Sequence, residues 1–418
     1  MKVLFSSNHL MIGGIETLML RMAENLKTNN NIELIFFFFA KDFDKNLLDQ
    51  FQKYSKVYFL EDYFYFPSFL TKTPFIIKYL FPIKKSKIKK DFLDEINHIH
   101  ASNLNSVLFA NRMINLNKNI TYSIGIYSFS EYIFEQFLNN YFARKLKKLV
   151  QTFSCKNFFF VNEVPRTEYS TVYGNQILNS TIGPLGIDLE KYKNQNLGQQ
   201  NKRIVSIGRL TEWKTYNYHM IEVIRYLNTK DIFYSYDCYG EGTELKKLNQ
   251  KVMELNLQNQ IKFHPSVPYE KFNETIQNSL LFIGAGTASI EASACGIPSL
   301  TGIENLDKNQ PLTYGFLHEI TGYSYQDSQL NLPKKDIYKC ILELANSSQE
   351  EYLEVCKKAK NRSKDFDIKK TLFEFEQLAT NSEKHTALLN YREMFLITCS
   401  MLIHLITNIH KKHFFRRL

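Results

Sequence analysis

The sequence lacks the features that mark several classes of protein. Its six cysteines form no C-x-x-C pair, and none lies near a cluster of histidines. A structural zinc site and a disulfide framework are therefore not expected, and a reducing compartment is the simpler interpretation. The first ten residues contain no apolar core followed by a small-residue cleavage site, so they predict a first β-strand and a cytoplasmic location.

A long hydrophobic run is also missing. The most apolar stretch, residues 394–409, has about 16 residues, whereas a membrane-spanning helix needs roughly 20. Arg392 and Glu393 precede this stretch, and the basic sequence HKKHFFRRL ends the chain. This pattern favours a helix that lies in a membrane interface. The alternative is a last helix packed on the protein.

The totals indicate a folded protein with an anionic partner. The chain has 418 residues, of which 44% are hydrophobic and 22% are charged. These values are typical of a globular protein, and the length favours two domains. The formal net charge is +10, which suits a nucleic acid, an acidic lipid or a phosphate-bearing ligand.

Short apolar runs alternate with helical patterns in both halves of the chain. Lys2–Phe5 and the almost wholly apolar Ile32–Ala40 predict strands, with an amphipathic helix over Ile15–Leu26 between them. The same order restarts at Arg203–Ile207. It predicts an α/β fold with two Rossmann-like, doubly wound parallel sheets. Ligands bind at the carboxyl ends of such strands, so we expect the site in a cleft between the two domains.

Composition places the domain boundaries. The stretch around residue 191 is rich in Gly, Asn and Gln and has no periodicity, so it predicts a hinge. The predicted parts are a first Rossmann-like domain (1–187), a linker (188–202), a second Rossmann-like domain (203–365), a crossover helix (366–387) and the apolar and basic tail (388–418).

Two loops that follow predicted strands carry candidate binding residues. In SIGRLTEWK, the strand ends at Gly208, and Arg209 and Lys214 project from the loop. Two cations at this spacing can hold a diphosphate and neutralise its charge as it leaves; a solvated basic pair is the alternative. In YGEGTE, Gly240 and Gly242 form a glycine-rich turn that, taken alone, indicates only a tight turn.

The segment GAGTASIEASACGIPSL predicts an anion site at a helix start. Gly286 allows close approach of the backbone, and the N–H groups near Thr287, Ala288 and Ser289 open a helix, which favours a bound anion.

Glu291 lies early in the same helix and could accept hydrogen bonds from the hydroxyls of a ribose. The alternative is a solvated carboxylate, but the small apolar neighbours of Glu291 favour the binding role.

Together, these segments resemble the GT-B glycosyltransferases, specifically the retaining family 4. GGIETLMLRMAENL is similar to the family's first loop and helix, in which Gly13 and Gly14 would approach the donor phosphate and the acceptor. GRLTEWK is similar to its diphosphate clamp of Arg209 and Lys214. IEASACGIPSL matches its E-A-x-A-x-G-x-P signature, in which Glu291 would bind the ribose. The resemblance also implies donor contacts at Gly208, Gly240, Gly242, Gly286, Thr287, Ala288 and Ser289.

Three positions depart from the family pattern. The family's earlier glutamate is replaced by Ile283, and a glycine near the nucleobase by Pro265. A histidine near the sugar is replaced by Gly125. His100, at another strand end, is a candidate for the acceptor side, and a structural role is the alternative.

The resemblance implies transfer of a sugar from a nucleoside diphosphate sugar, first of all a UDP-sugar, with retention of configuration. It implies no further cofactor and no metal ion. The sequence contains D-x-D at Asp42–Asp44 and Asp365–Asp367, which we interpret as chance or helix capping. The acceptor would be a glycan or a lipid-linked glycan of bacterial surface polysaccharide or glycolipid synthesis. A subunit that binds the nucleotide sugar without turnover and a nucleotide-sugar epimerase are alternatives.

Basic residues in the first half favour a membrane surface. Residues 63–90 carry seven lysines, eight aromatics and no acidic residue, and residues 141–148 add four cations. Aromatic and basic residues together suit anionic lipid headgroups, whereas a mobile loop with a solvated basic face and a few core aromatics is the alternative. No nucleic-acid-binding module is recognisable, so nucleic acid is not expected. We expect a peripheral protein at the inner face of the plasma membrane.

Overall fold

The computed structural model describes residues 1–11, 13–26, 31–40, 43–66, 75–78, 80–127, 131–133, 139–192, 200–323, 325–326, 332–385 and 389–407. Within these ranges the chain forms two compact units. The first contains Met1–Pro184 and Lys369–Leu418, and the second contains Leu185–Ile368. The predictions for Asp42, for the middle of the linker and for the basic end of the tail fall outside the described residues.

Strands and helices alternate along most of the chain. The strands are β1 (Lys2–Ser7), β2 (Glu33–Phe38), β3 (Lys56–Phe59), β4 (His98–Ala101), β5 (Thr121–Ile126), β6 (Phe158–Phe160), β7 (Thr181–Ile182), β8 (Arg203–Ile207), β9 (Ser235–Tyr239), β10 (Ile261–His264), β11 (Leu281–Gly284), β12 (Ser299–Glu304), β13 (Leu312–Phe316), β14 (Tyr325–Gln326) and β15 (Lys335–Asp336). The helices are α1 (Gly14–Leu26), α2 (Lys45–Tyr54), α3 (Phe75–Lys78), α4 (Lys85–Ile88), α5 (Leu104–Leu116), α6 (Tyr141–Gln151), α7 (Glu163–Tyr173), α8 (Tyr216–Asn228), α9 (Leu245–Glu254), α10 (Phe272–Ile276), α11 (Thr287–Ala294), α12 (Ile337–Asn346), α13 (Gln349–Ser363), α14 (Ile368–Asn381) and α15 (Tyr391–Thr407).

The sheet of the first unit is parallel throughout its described strands, in the order β3-β2-β1-β4-β5-β6-β7. The phenylalanines of β2 show why the strand is apolar on both faces. Phe36 contacts Phe51 of α2, with ring centroids 4.8 Å apart. The next residue, Phe37, points to the opposite face and stacks on Phe109 of α5 at 4.3 Å. Because helices cover both faces, nearly every position of the strand is apolar, as the sequence predicted.

The sheet of the second unit has the order β10-β9-β8-β11-β12-β13-β15, and β14 pairs with β12. The strands from β10 to β12 are parallel, which confirms the prediction of a doubly wound sheet. β13 and β15 are antiparallel to their neighbours. The sequence did not predict this extension, because its strands are short and are not separated by a helical pattern.

The chain passes between the units at residues 184–185 and again at residues 368–369. The predicted first domain ends three residues later, at 187, and the predicted hinge lies near residue 191. Ile187 instead belongs to the second unit, where it is fully buried. Its N–H donates to the carbonyl oxygen of Phe366 at 2.8 Å, and its own carbonyl oxygen accepts from the N–H of Ile368 at 2.9 Å. This pairing ties the outgoing and returning segments together, so the irregular sequence near residue 191 is not the crossing point.

The tail helix α15 packs on the first unit with one face. Met394, Ile397 and Met401 are buried in the unit's hydrophobic core. Lys145 of α6 forms an ion pair with Glu393 at 2.9 Å. The packed-helix alternative therefore holds for the inner face of α15. In the described part of the chain, no helix combines the length and the apolar character that crossing a membrane requires.

The basic and aromatic segment 63–90 is partly structural. Tyr63 and Phe64 are buried in the core of the first unit. Lys78 is buried as well and lies 3.4 Å from a carboxylate oxygen of Glu61. These side chains therefore support the fold rather than a membrane contact, as the structural alternative for this segment predicts. Residues 67–74 and 79 lie outside the described residues.

Candidate functional site

The carboxyl edge of the second sheet has a switch point between β8 and β11. From β8 the chain continues to β9 and β10 on one side, and then to β11 and β12 on the other. Loops that follow the two strands flanking a switch point leave a crevice in which ligands bind. Ile204 pairs with Leu281 and Val205 with Phe282, so the same register brings the ends of β8 and β11 together. The two candidate loops therefore leave the sheet side by side.

The loop that carries Arg209 and Lys214 is fixed at both ends. The N–H of Leu210 donates to the carbonyl oxygen of Glu241 at 2.8 Å, which ties the loop to the turn after β9. At its other end, the carbonyl oxygen of Trp213 accepts from the N–H of Asn305 at 2.7 Å, just after β12. The loop thus extends along the carboxyl edge, past the end of β11.

The glycines after β9 allow this loop to pack closely. A Cβ atom on Gly240 would lie 2.0 Å from the carbonyl oxygen of Gly208, and one on Gly242 would lie 2.1 Å from that of Leu210. No side chain fits at these backbone contacts. Gly240 and Gly242 therefore support the cationic loop directly, and their predicted contact with a donor stays a prediction.

Lys214 folds back over the end of β8. An ideal Cβ on Gly208 would lie 3.0 Å from its Nζ atom. Burial lowers the pKa of Lys214, the carboxylate of Glu304 opposes this shift, and the charge of Arg209 adds to it. Arg209 is exposed. An anion bound between the two cations would favour the charged form of Lys214, because it offsets both the burial and the repulsion.

The loop after β11 leads directly into α11. Gly286 precedes the helix with φ 76° and offers no side chain to cap it. Its own N–H donates to the carbonyl oxygen of Tyr323 at 3.0 Å. The first N–H groups of a helix have no partner within the helix, so Thr287 and Ala288, in the first turn, can offer theirs to an anion. The N–H of Ser289, the third predicted donor, instead donates to the carbonyl oxygen of Gly286 at 3.2 Å.

Buried hydroxyl groups lie in α11. Ser289 and Ser293 are fully buried, and among the described residues neither Oγ atom has a hydrogen-bond partner. The Oγ of Ser289 lies over the end of β11, 3.4 Å from where a Cβ on Gly284 would stand. Buried hydroxyls normally have partners, so this edge has unused hydrogen-bonding capacity.

Glu291 is 3% exposed and lies one turn into α11. The alternative of a solvated surface carboxylate is therefore wrong. Its charge acts on Cys295: burial, with the carboxylate of Glu291 as a further cause, raises the pKa of Cys295 to about 12. The carboxylate thus lies inside a helix of small side chains, and its predicted contact with a ribose stays a prediction.

In the first unit, Gly13 and Gly14 lie at the start of α1, after β1. The carbonyl oxygen of Gly13 accepts from the N–H of Thr17 at 3.0 Å. Apart from its chain neighbours and the backbone of its own helix, no described residue has an atom within 4 Å of an ideal Cβ on Gly14. The structure thus places both glycines at a helix start on the carboxyl edge of β1, as the sequence predicted, and their contact with a ligand stays a prediction.

His100 is fully buried inside the first unit. Its Nδ1 atom lies 2.7 Å from the Oγ of Ser123, and its Nε2 atom lies 2.9 Å from the hydroxyl of Tyr127. Ser123 also contacts Nε2 of His98 at 2.8 Å. Both ring nitrogens of His100 are thus engaged within the protein, which agrees with the structural alternative. Tyr127, which directly follows β5, is half-buried, whereas His98, His100 and Ser123 are buried.

Gly125 makes room for this network. A Cβ at this position would lie 2.2 Å from the ring of Tyr127 and 2.6 Å from Nε2 of His100. The sequence analysis did not identify His98, Ser123 and Tyr127. The spacing of the two histidines by two residues on a strand was an available signal, because it places both on one face.

The D-x-D sequences have structural roles where they are described. A carboxylate oxygen of Asp44 accepts from the N–H of Leu47 at 2.8 Å and caps α2. Asp365 forms an ion pair with Arg362 at 2.6 Å. The described residues contain no group of three or more His, Cys, Asp or Glu residues that could hold a metal ion.

A family model matches the region that contains the candidate site, and solved structures match the fold. The model of the family described as glycosyl transferases group 1 matches residues 188–303, which run from before β8 into β12. No curated protein matches the chain by sequence.

Three solved structures are similar to this chain over about nine-tenths of its length. The lipopolysaccharide outer core galactosyltransferase WaaB in its apo form is 12% identical, with a TM-score of 0.56 over 90% of this chain and 99% of that chain. A TarM mutant from S. aureus, in complex with fondaparinux, alpha-GlcNAc-glycerol and UDP, is 13% identical, with a TM-score of 0.62 over 91% and 100%. A glycosyltransferase from Rickettsia africae is 14% identical, with a TM-score of 0.61 over 91% and 99%. The fold is GT-B. At these identities the likeness extends to the fold alone.

Proposed function

We propose that the protein transfers a sugar from a nucleoside diphosphate sugar to a glycan or lipid-linked acceptor, with retention of configuration. One observation carries the proposal: at the switch point of the second sheet, the Arg209 and Lys214 loop lies beside the start of α11, which contains the buried Glu291. Cations and free backbone N–H donors both bind phosphate groups, so their proximity suits a diphosphate. The match of the glycosyl transferases group 1 model to this region supports the same function.

The proposed roles follow from the chemistry of each group. The diphosphate lies against Arg209, Lys214 and the first turn of α11, and Glu291 accepts the hydroxyl groups of the ribose. An acceptor hydroxyl attacks the anomeric carbon, the bond from that carbon to the phosphate oxygen breaks, and the nucleoside diphosphate leaves. The two cations and the helix start stabilise the charge that grows on the leaving group. In this proposal they replace a metal ion.

The donor is proposed to be a UDP-sugar, and the acceptor to belong to bacterial surface polysaccharide or glycolipid synthesis. The TarM structure was solved with UDP, and WaaB is described as a lipopolysaccharide galactosyltransferase. The first unit, with Gly13 and Gly14 at its helix start, is proposed to serve the acceptor. We further propose that the protein works in the cytoplasm, on the inner face of the plasma membrane, since the chain is strongly basic.

One observation favours a second candidate, a subunit that binds the nucleotide sugar without turnover. The position of the family's earlier glutamate is Ile283, which is fully buried in the core of the second unit. At this end of β11 the carboxylate of that family pattern is therefore replaced by an apolar side chain.

A donor panel separates the two candidates. The protein is incubated with UDP-, GDP-, ADP- and dTDP-sugars in the presence and absence of a bacterial lipid extract, and the release of each nucleoside diphosphate is measured. We expect one donor to release its diphosphate, and the extract to increase the rate. Binding of a nucleotide sugar without release under any condition would support the binding subunit and overturn the transferase.

A further inference from the structure

The outer face of α15 is apolar although the helix is already packed. The segment just before the helix is held by Asn111: the backbone N–H of Leu389 donates to the side-chain oxygen of Asn111 at 2.9 Å, and the side-chain nitrogen of Asn111 donates to the carbonyl oxygen of Leu389 at 3.1 Å. Met394, Ile397 and Met401, on the inner face of the helix, are buried in the core of the first unit. The Oγ of Ser400 accepts from the N–H of Phe142 at 3.2 Å. The helix is thus part of the first unit, and the orientation of its outer face is fixed.

Four large apolar side chains form what we call the outer stripe of α15: Phe395, Leu396, Ile403 and Ile406. They are 47%, 40%, 62% and 68% exposed. Their spacing of 1, 7 and 3 residues keeps them on one side of a helix. A packed helix normally has polar residues on its solvent side, and a contiguous apolar surface indicates a partner.

Basic residues lie beside the outer stripe. α6, which packs along α15, contains no acidic residue. Its exposed cations, Arg144 and Lys148, form what we call the basic edge. The acidic residue of α15, Glu393, is paired with Lys145. The hydrogen bond from Lys145 lowers the pKa of Glu393, and the charges of Lys145 and Lys148 add to this shift. The described surface around the stripe therefore combines apolar side chains with a surplus of positive charge.

We propose that the outer stripe and the basic edge together dock on an anionic lipid bilayer, with α15 lying in the plane of the interface. The apolar side chains would enter the boundary between headgroups and acyl chains, and the cations would contact lipid phosphates. The 17-residue helix is about 25 Å long, at 1.5 Å per residue, so it offers an extended line of contact. This inference rests on the proposed membrane location, and it is independent of the transfer chemistry.

A second copy of the chain is a poorer occupant of this surface. A symmetric dimer brings the same patch of both copies together. The basic edge of one copy would then lie near that of the other, and like charges at an interface cost affinity. An anionic lipid surface has the complementary charge instead.

Vesicle sedimentation of the full chain tests the proposal. The unmodified protein is expected to bind vesicles of phosphatidylglycerol and phosphatidylcholine at low salt, and to bind phosphatidylcholine vesicles weakly. Replacing the stripe with the variant Phe395→Ser, Ile403→Ser, Ile406→Ser is expected to lower partitioning by at least about tenfold. The matched control is Phe233→Ser, Met253→Ser, two exposed apolar residues of the second unit, which should leave binding unchanged.

The basic edge is tested separately. The variant Arg144→Gln, Lys148→Gln should weaken binding to anionic vesicles by roughly tenfold to thirtyfold, at about 1 kcal/mol for each cation, and should reduce its salt dependence. The control Lys246→Gln changes an exposed lysine of α9 and should have no effect. Circular dichroism and nucleotide binding of every variant show whether the fold and the donor site remain.

Two results would overturn the proposal. One is equal vesicle binding by the stripe variant and the unmodified protein. The other is a dimer in sedimentation velocity that the stripe variant dissociates, together with no binding of the unmodified protein to anionic vesicles. Neither result affects the donor site, because diphosphate release with a soluble acceptor and binding of UDP report on that site independently.

Discussion

At the switch point of the first sheet, the protein satisfies its own polar groups. The carbonyl oxygen of Ser6, near the end of β1, accepts hydrogen bonds from the hydroxyls of Ser102 and Ser106, each at 2.8 Å. At the switch point of the second sheet, the hydroxyls of Ser289 and Ser293 are buried and have no partner among the described residues. The two sheets share the order of their first five strands, and in the described residues of the second switch point unused hydroxyl groups occur together with two cations. The strand order therefore places a crevice at the switch point of each sheet, and the side chains decide whether that crevice can bind a ligand. For this reason, the donor is proposed to bind to the second unit.

The largest expected effect is the loss of turnover when a cation at the second switch point is removed. Arg209→Ala and Lys214→Ala should each lower turnover by about 100- to 1000-fold, because each removes a group that stabilises the leaving diphosphate. Steady-state rates with the best donor measure this. Lys246→Ala, at an exposed position of α9, is the matched control and should keep the full rate. Unchanged rates in both variants would remove the cationic loop from the mechanism.

The pH dependence of stability tests the buried network of the first unit. Burial lowers the pKa of His98 to about 3, and burial with the nearby His98 holds the pKa of His100 well below its ordinary value. In the unfolded chain, both imidazole rings bind a proton below about pH 6.5. In the folded protein their lowered pKa values keep them neutral at that pH. Stability should therefore fall from pH 6.5 towards pH 3, by about 2 kcal/mol per histidine at pH 5.

Urea unfolding at pH 7.5 and pH 5, followed by circular dichroism, measures this loss. The variant His98→Gln removes one of the two titrating groups and should show a smaller loss between the two pH values. An equal loss in the variant and in the unmodified protein would show that these histidines do not carry the effect.

Substitution of one glycine in each unit should give a smaller contrast, in the free energy of unfolding. Gly240→Ala places a Cβ 2.0 Å from a carbonyl oxygen and should lower the free energy of unfolding by about 1–3 kcal/mol. Among the described residues, Gly14→Ala meets no atom within 4 Å apart from its chain neighbours and the backbone of its own helix, and it should change the free energy of unfolding by less than about 1 kcal/mol. Urea unfolding of both variants provides the measurement, and equal values would contradict the close packing of the loops after β8 and β9.

The smallest expected effect is that of a chelator. Because Arg209, Lys214 and the start of α11 are proposed to neutralise the diphosphate, EDTA should leave the transfer rate unchanged. The assay is nucleoside diphosphate release before and after chelation, with added Mg²⁺ as the comparison. Loss of activity that Mg²⁺ restores would contradict this proposal and would assign part of the neutralisation to a metal ion.

Local sequence patterns predicted much of the fold. The strand over Arg203–Ile207 has the predicted bounds, and the helix predicted to open near Thr287, Ala288 and Ser289 begins at Thr287. Period-two and period-3.6 patterns are local, so a single sequence carries them. The antiparallel β13 and β15 were missed, since short strands without a clear pattern depend on distant partners for their pairing.

The candidate site could be predicted from the sequence only in part. The residue types and spacing of Arg209, Lys214 and Glu291 could be read directly, because they follow predicted strands. The backbone contacts that make Gly240 and Gly242 necessary, and the burial of His100, could not. Each depends on atoms far away in the sequence: the loop after β8 for the glycines, and β5 for the histidine.

The sequence by itself determined the alternation of strands and helices, the topology that follows from it, and the chemical character of the loops after β8 and β11. These features arise from neighbouring residues and from the length of chain between strands. The tertiary structure decided which polar groups are buried, where the chain crosses between its units, and which face of α15 is packed. Burial and hydrogen bonding depend on which distant segment packs against a side chain, and the local sequence does not identify that segment.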